Sequence, residues 1–164
     1  MTMAWTEHVQ IRPIGQEDKA LMKTFLYAAI FVPEGEAAPP REIVNEPALA
    51  LYVQDFGAFA GDCGLAAVVE DEVVAMAWVR IVEDYGHIDD ETPSLAISVL
   101  PPWRGQGIGT RLLTALLKKL RGQNVRAVSL SVQVANPALH LYQRLGFDTV
   151  RTHNGEAIMR CSLQ

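Results

Sequence analysis

Between Leu95 and Phe147 the apolar residues alternate between two spacings, and this alternation restricts the fold more than any other feature of the chain. "LAISVL" (95–100) reads as a short buried strand, and the glycine turn "GQGIG" (105–109) follows it. Ile108, Leu112, Leu113, Leu116, Leu117 and Leu120 then form one stripe on a helix from about Gly107 to Arg121, with Arg111, Lys118 and Lys119 mostly off it. "VRAVSLSVQV" (125–134) alternates as a strand does. "NPALHLYQRLGF" (136–147) is a helix marked at both ends. Asn136 is a good N-cap, and Pro137 stands at the first helical position, where its missing N–H does no harm. Gly146 supplies a left-handed residue past the end, and Phe147 folds back onto the last turn. Strand, helix, strand, helix in this order predicts a sheet with right-handed crossovers.

The earlier half is read in the same way. "HVQIRPI" (8–14) is a short first strand, and residues 16–31 carry Leu21, Met22, Phe25, Leu26 and Ile30 at helical spacing. "VPEGEAAPP" (32–40) is a loop, and a weaker helix is expected over about 46–56. Residues 63–83 form two apolar strands joined by an acidic turn near Glu70–Glu72, a hairpin. Residues 86–94 are loop, and the last 18 residues are one or two strands. A mixed sheet flanked by helices follows, with hairpins early and crossovers late.

The 164 residues predict one domain, with no repeat, linker or low-complexity tract. No apolar run reaches the roughly 20 residues that cross a bilayer, so no membrane contact is expected. The N-terminus lacks the cationic and apolar regions of a secretory signal, and Cys63 and Cys161 read as free thiols of a reducing cytoplasm. Charge is unevenly divided. Residues 1–91 hold 17 of the 19 acids and five Lys or Arg, a balance of −12. Residues 92–147 hold no acid and seven cations: Arg104, Arg111, Lys118, Lys119, Arg121, Arg126 and Arg144. The division points to an anionic ligand on the later half and a cationic one on the earlier half. Nucleic acid is disfavoured, because the basic half lacks interleaved aromatics.

The glycine turn opens a helix, where backbone N–H groups are unpaired and the helix dipole favours negative charge. Two familiar phosphate binders do not fit. A Walker loop needs Gly-Lys-Ser/Thr, and this chain has Gly109-Thr110-Arg111. A dinucleotide fold needs a third glycine where Thr110 stands, and an acid about 20 residues on; none appears before Asp148.

Arg104-Gly105-Gln106-Gly107-Ile108-Gly109 does match the pattern R/Q-x-x-G-x-G/A. With "LAISVLP" before it and "NPALHLYQRLGF" after it, the chain resembles the GNAT superfamily of acyl-CoA-dependent N-acetyltransferases over roughly residues 60–150. That resemblance implies an α/β fold with a mostly antiparallel central sheet and one splayed parallel strand pair. It implies acetyl-CoA as cosubstrate, its pyrophosphate on Arg104, Gly105, Gln106, Gly107, Ile108, Gly109 and Thr110. The pantetheine arm would lie along the main chain of Ile97, Ser98 and Val99 and meet Asn136, and the prolines of "SVLPP" would stop the strand pairing there. The Val99 N–H would steady the oxyanion and Tyr142 would protonate the departing thiolate. No metal is implied, and a homodimer is left open.

The family's glutamate near that strand is missing from "SLAISVL", so the base is left among Asp89, Asp90, Glu91, His87 and a water chain. Tyr27, Phe31, Glu34 and Trp78 are candidates to line the acceptor site. The acidic balance of the early half points to a cationic primary amine, whether a small molecule or a peptide. The rival expectation is a non-catalytic acyl-CoA-binding module.

Overall fold

The computed structural model describes residues 8–164, so the start of the N-terminal stretch read for a signal lies outside the described residues. The strands are β1 (Gln10–Pro13), β2 (Cys63–Val69), β3 (Glu72–Arg80), β4 (Ser94–Val99), β5 (Ala127–Gln133), β6 (Phe147–His153) and β7 (Glu156–Ser162). The α-helices are α1 (Met22–Ala28), α2 (Pro47–Ala50), α3 (Ile108–Gly122) and α4 (Ala138–Arg144). One sheet runs in the order β1-β2-β3-β4-β5-β7-β6, antiparallel at every pairing but the parallel pair β4–β5. Among the described residues no helix is long and apolar enough to cross a membrane.

Turn chemistry fixes both tight hairpins. Glu70 and Asp71 take left-handed backbone angles (φ 49° and 67°) between β2 and β3, and Asn154 and Gly155 (φ 50° and 78°) do so between β6 and β7. Such two-residue turns match the twist of the strands they join. The stripe of α3 is wholly buried, with Ile108, Leu112, Leu113 and Leu116 at 1% exposure or less, against one face of the sheet together with α4. The other face of the sheet's first half packs on α1 through Met22, Phe25, Met76 and Trp78.

Two expected helices come out shorter. Gln16–Leu21 is a 3-10 turn, and α-helix begins only at Met22. The buried Asp18 carboxylate accepts from the Gly15 N–H at 2.7 Å and pairs with Arg12, which holds the first turn tight. Of the helix expected over 46–56 only the four residues of α2 are helical, preceded by a 3-10 turn at Arg41–Asn45. That irregular segment is held by Arg80 rather than by its own periodicity. The guanidinium pairs with Asp62 at 2.7 Å and donates to the carbonyls of Leu51, Gln54 and Asp55. Beyond β4 the second face meets loop 81–93, where Gly86 packs on the backbone of Leu130 and Ser131 and Arg151 donates to the His87 carbonyl.

Candidate active site

The register of β3 against β4 decides where β4's backbone points. The Leu100 N–H donates to the Val74 carbonyl at 2.9 Å, and Ser98 pairs with Met76. In an antiparallel ladder, hydrogen-bonded pairs alternate with non-bonded ones, so the N–H and C=O groups of Ile97 and Val99 turn away from β3, toward β5. On that side β4 and β5 share one register position, Ser94 opposite Ser129, with the Ser129 N–H on the Pro93 carbonyl at 3.0 Å. Past it the strands part. Pro101 and Pro102 lie in a 3-10 turn after β4, well beyond this point, so strand divergence ends the pairing and the prolines do not.

A cavity of about 830 Å³ occupies the opening. Ile97, Ser98 and Val99 form one wall, and Asn136 and Tyr142 form another. Arg104, Gly105, Gly107, Ile108, Gly109 and Thr110 close one end. Gly105 and Gly107 have φ of 76° and 82°, and a Cβ built on either would meet nothing within 4 Å, so the turn presents bare backbone to open space. Gly107 precedes the 15 residues of α3, so the N–H groups of Ile108, Gly109 and Thr110 have no acceptor within the helix. An anion is favoured there by N–H geometry and helix dipole together. Gly109 faces Val99 and Leu141, and a Cβ on it would lie at ordinary contact distance, 3.6 Å, from Val99 Cγ2.

Not every expected residue arrives. Gln106 lies off the cavity wall, its amide turned back toward the Pro102 carbonyl at 3.5 Å. Arg104 reaches the rim, but its Nε donates to the Val99 carbonyl (2.8 Å) and its Nη2 to the Ala28 carbonyl (3.0 Å), so it ties α1 to β4. Arg144 joins it on the wall, whereas Lys118, Lys119 and Arg121 stand at the other end of α3, about 15–20 Å along its axis. The sequence's basic half thus contributes two of its seven cations to the cavity wall.

Asn136 does cap α4: its Oδ1 accepts the Ala138 N–H at 2.9 Å. Gly146 closes the helix at φ 101°. Tyr142, 9% exposed, has its ring 5.9 Å from that of Phe147, and burial pushes its phenol up to about 12.

Of the expected acceptor residues, Phe31 lines the cavity with neighbouring backbone of 28–32. Glu34 is exposed and off the wall. Tyr27 is also off it, its hydroxyl donating to the Pro39 carbonyl at 2.5 Å beneath Arg41, so it braces the 32–40 loop. Trp78 is a correction: it is 1% exposed in the second core, its indole N–H on the Tyr52 carbonyl at 2.9 Å. A large apolar residue mid-strand, with a partner for its one polar atom, is core.

The expected bases are engaged within their own loop. Asp89 Oδ1 accepts the Glu91 N–H at 2.8 Å, and that bond leads the causes that lower its pKa. His87 Nδ1 lies 3.0 Å from the Val82 carbonyl and Nε2 3.5 Å from the exposed Asp90. Sequence reasoning missed Asp84, which accepts from the hydroxyls of Tyr52 and Ser94 at the start of β4. Neither spacing nor charge marks it, because its partners come from residues 10 and 32 positions away.

The profile of the acetyltransferase (GNAT) family matches residues 31–147. An N-alpha-acetyltransferase of Saccharolobus solfataricus is 35% identical over 98 residues, 54% of this chain and 58% of the relative. A mycothiol acetyltransferase of Nocardiopsis dassonvillei is 30% identical over 148 residues, 86% of this chain and 43% of the relative. The chain spans from about a quarter to three-fifths of the length of the curated relatives it matches. In shape it is similar to the PaiA N-acetyltransferase from Thermoplasma acidophilum in complex with coenzyme A. The TM-score is 0.70 at 16% identity, covering 94% of this chain and 98% of the other.

Proposed function

The chain belongs to the GNAT acetyltransferase family, and from that premise we propose that it transfers acetyl from acetyl-CoA to a primary amine by direct attack, the whole chain acting as one domain. The observation that carries the reading is the single-position contact of β4 with β5. It leaves the backbone groups of Ile97 and Val99 facing a cavity that the glycine turn and Tyr142 also line. The residues suit the cosubstrate. An open strand edge takes the amides of a pantetheine arm as it would take another strand. The bare backbone at Gly105 and Gly107 and the first N–H groups of α3 take a pyrophosphate. When bound, acetyl-CoA supplies an activated acyl group on a thioester.

The chain's own groups then have distinct tasks. The Val99 N–H donates to the oxygen on which negative charge develops. Tyr142 holds a proton toward the sulfur. Burial makes its phenol a weaker acid than an ordinary thiol (about 8.5), so proton delivery is completed by the proton that the attacking nitrogen sheds. Asn136 orients the arm while capping α4. The relative from Saccharolobus solfataricus is by its name an N-alpha-acetyltransferase, which supports an amine acceptor here.

The test is calorimetric titration with acetyl-CoA, followed by a pool of primary amines, including short peptides with free N-termini, while free thiol is followed. Micromolar binding with thiol release on an amine pool is expected. Binding without release from any amine pool would favour an acyl-CoA-binding module, and no binding would reject the cavity as the cosubstrate's site.

A further inference from the structure

The cavity has two sides, and one side chain spans them. The glycine turn, Asn136 and Tyr142 belong to α3, α4 and their approaches, on one face of the sheet. Residues 28–32 continue from α1, which packs on the other face, and they line the part of the cavity that those groups leave free. With the coenzyme on the first side, an amine attacking a carbonyl held at Val99 has to pass this second wall.

Little within α1 holds that wall in place. The helix has seven residues, ends on Ala29 and carries no basic residue in its last turn. Side chains of β4 and of the turn beyond it reach its last carbonyls instead. Ser98 Oγ donates to the Phe25 carbonyl at 2.6 Å, and Arg104 Nη2 donates to the Ala28 carbonyl at 3.0 Å. The same guanidinium grips Val99, its Nε donating to the carbonyl at 2.8 Å on the side of β4 that faces the opening. No strand holds Val99 on that side, because β4 and β5 share only the position of Ser94 and Ser129. Among the described residues Arg104 pairs with no carboxylate. A guanidinium is a planar fork of fixed donors, so the two carbonyls cannot move independently while both bonds hold.

We propose that Arg104 is a positioning residue that couples the two substrate sites. Acetyl-CoA, in fixing Val99, fixes the guanidinium and through it the wall 28–32 that the amine meets. The wall is then firmest when the acetyl donor is in place, and by reciprocity a bound amine tightens the hold on acetyl-CoA. This rests on the cavity being the acetyl-CoA site, and it gives the arginine a task other than neutralising the pyrophosphate.

Arg104→Lys separates the two tasks, because an ammonium keeps the charge but has one nitrogen in place of the fork. Arg104 is exposed, so the substitution leaves the core intact. The probe is acetyl-CoA without any amine, and the readout is amide exchange resolved by NMR. Ile97 and Val99 report on β4. Ala29 and Ile30, whose N–H groups bond to the Phe25 and Tyr27 carbonyls at 3.0 and 3.1 Å, report on the wall. In the wild type, saturating acetyl-CoA should slow all four, the second pair by about fivefold or more. In Arg104→Lys the affinity for acetyl-CoA should stay within about threefold, and Ile97 and Val99 should still slow. At Ala29 and Ile30 the bound and free rates should become equal. A merely structural tie would raise the free rates of that pair and leave the slowing by acetyl-CoA as large as before, which would overturn the coupling. Slowing confined to Ile97 and Val99 in the wild type would also overturn it, and would leave the acetyl-CoA reading standing. Slowing at none of the four would reject the cavity as the acetyl-CoA site, and the coupling with it.

Discussion

Tyr142 has a proton to give at any pH a cell reaches, because burial raises its phenol to about 12 against an ordinary value near 10. Tyr142→Phe should lower kcat by about 100-fold or more while the dissociation constant of acetyl-CoA stays within twofold, which stopped-flow thiol detection and calorimetry would measure. Unchanged turnover would remove Tyr142 from proton delivery. The same shift has a stability consequence with a definite sign. A phenol whose folded pKa lies above its unfolded one stabilises the fold fully below about pH 10, and that contribution disappears as the pH rises toward 12. Between pH 9 and 11 the melting temperature of the wild type should therefore fall further than that of Tyr142→Phe. Gly107 offers a second residue-level test. At φ 82° a β-branched side chain is strained, so Gly107→Val should weaken acetyl-CoA binding at least tenfold with circular dichroism unchanged. Intact affinity would detach the turn from the ligand.

Elements differ in how openly their sequence declares them. Where local chemistry decides, the reading is direct: Asn136 and Gly146 bracket α4, and the stripe of α3 is buried as its spacing requires. The last 18 residues, left open as one or two strands, are two, joined by a tight turn at Asn154 and Gly155. Where long-range contacts decide, the sequence is silent. Residues 41–62 have no strong periodicity, and they keep their shape because Arg80 collects three of their carbonyls and Asp62. The site divides along the same line. The glycine turn and Tyr142 were legible as motifs, whereas Asp84 acquires its setting only when Tyr52 and Ser94 fold against it. Trp78 was misassigned because an aromatic residue on an apolar strand reads the same whether it faces a ligand or a core. The anchor can be tested. Arg80→Met leaves the Asp62 carboxylate buried, 1% exposed, without its partner, which costs about 3–5 kcal/mol. A fall in melting temperature of about 10 °C or more is expected, with new proteolytic cleavage between residues 51 and 62. A change of under 2 °C would show that the segment is held otherwise.

For the whole molecule, the cosubstrate should count as part of the fold. At 100 times its dissociation constant, acetyl-CoA should stabilise the folded chain by about 2.7 kcal/mol and raise the melting temperature by about 5–10 °C in differential scanning calorimetry. No rise at saturating ligand would contradict binding to the folded state. Of the charges divided along the chain, Arg104 and Arg144 are the two cations of the acid-free half that stand on the cavity wall.

The lone contact between Ser94 and Ser129 also makes the sheet a structure with a seam. β1 to β4 on one side and β5 to β7 on the other are each fully laddered, but across the seam the backbone has almost nothing to hold it. Without ligand, the amide hydrogens of Ile97 and Val99 should exchange with solvent deuterium in seconds to minutes, while those of Ser98 and Leu130, bonded within their own half, persist far longer. Bound cosubstrate then acts as a stitch. It lowers the rate of the first pair and leaves the second pair nearly untouched, so the two halves breathe as separate plates until the thread between them is drawn.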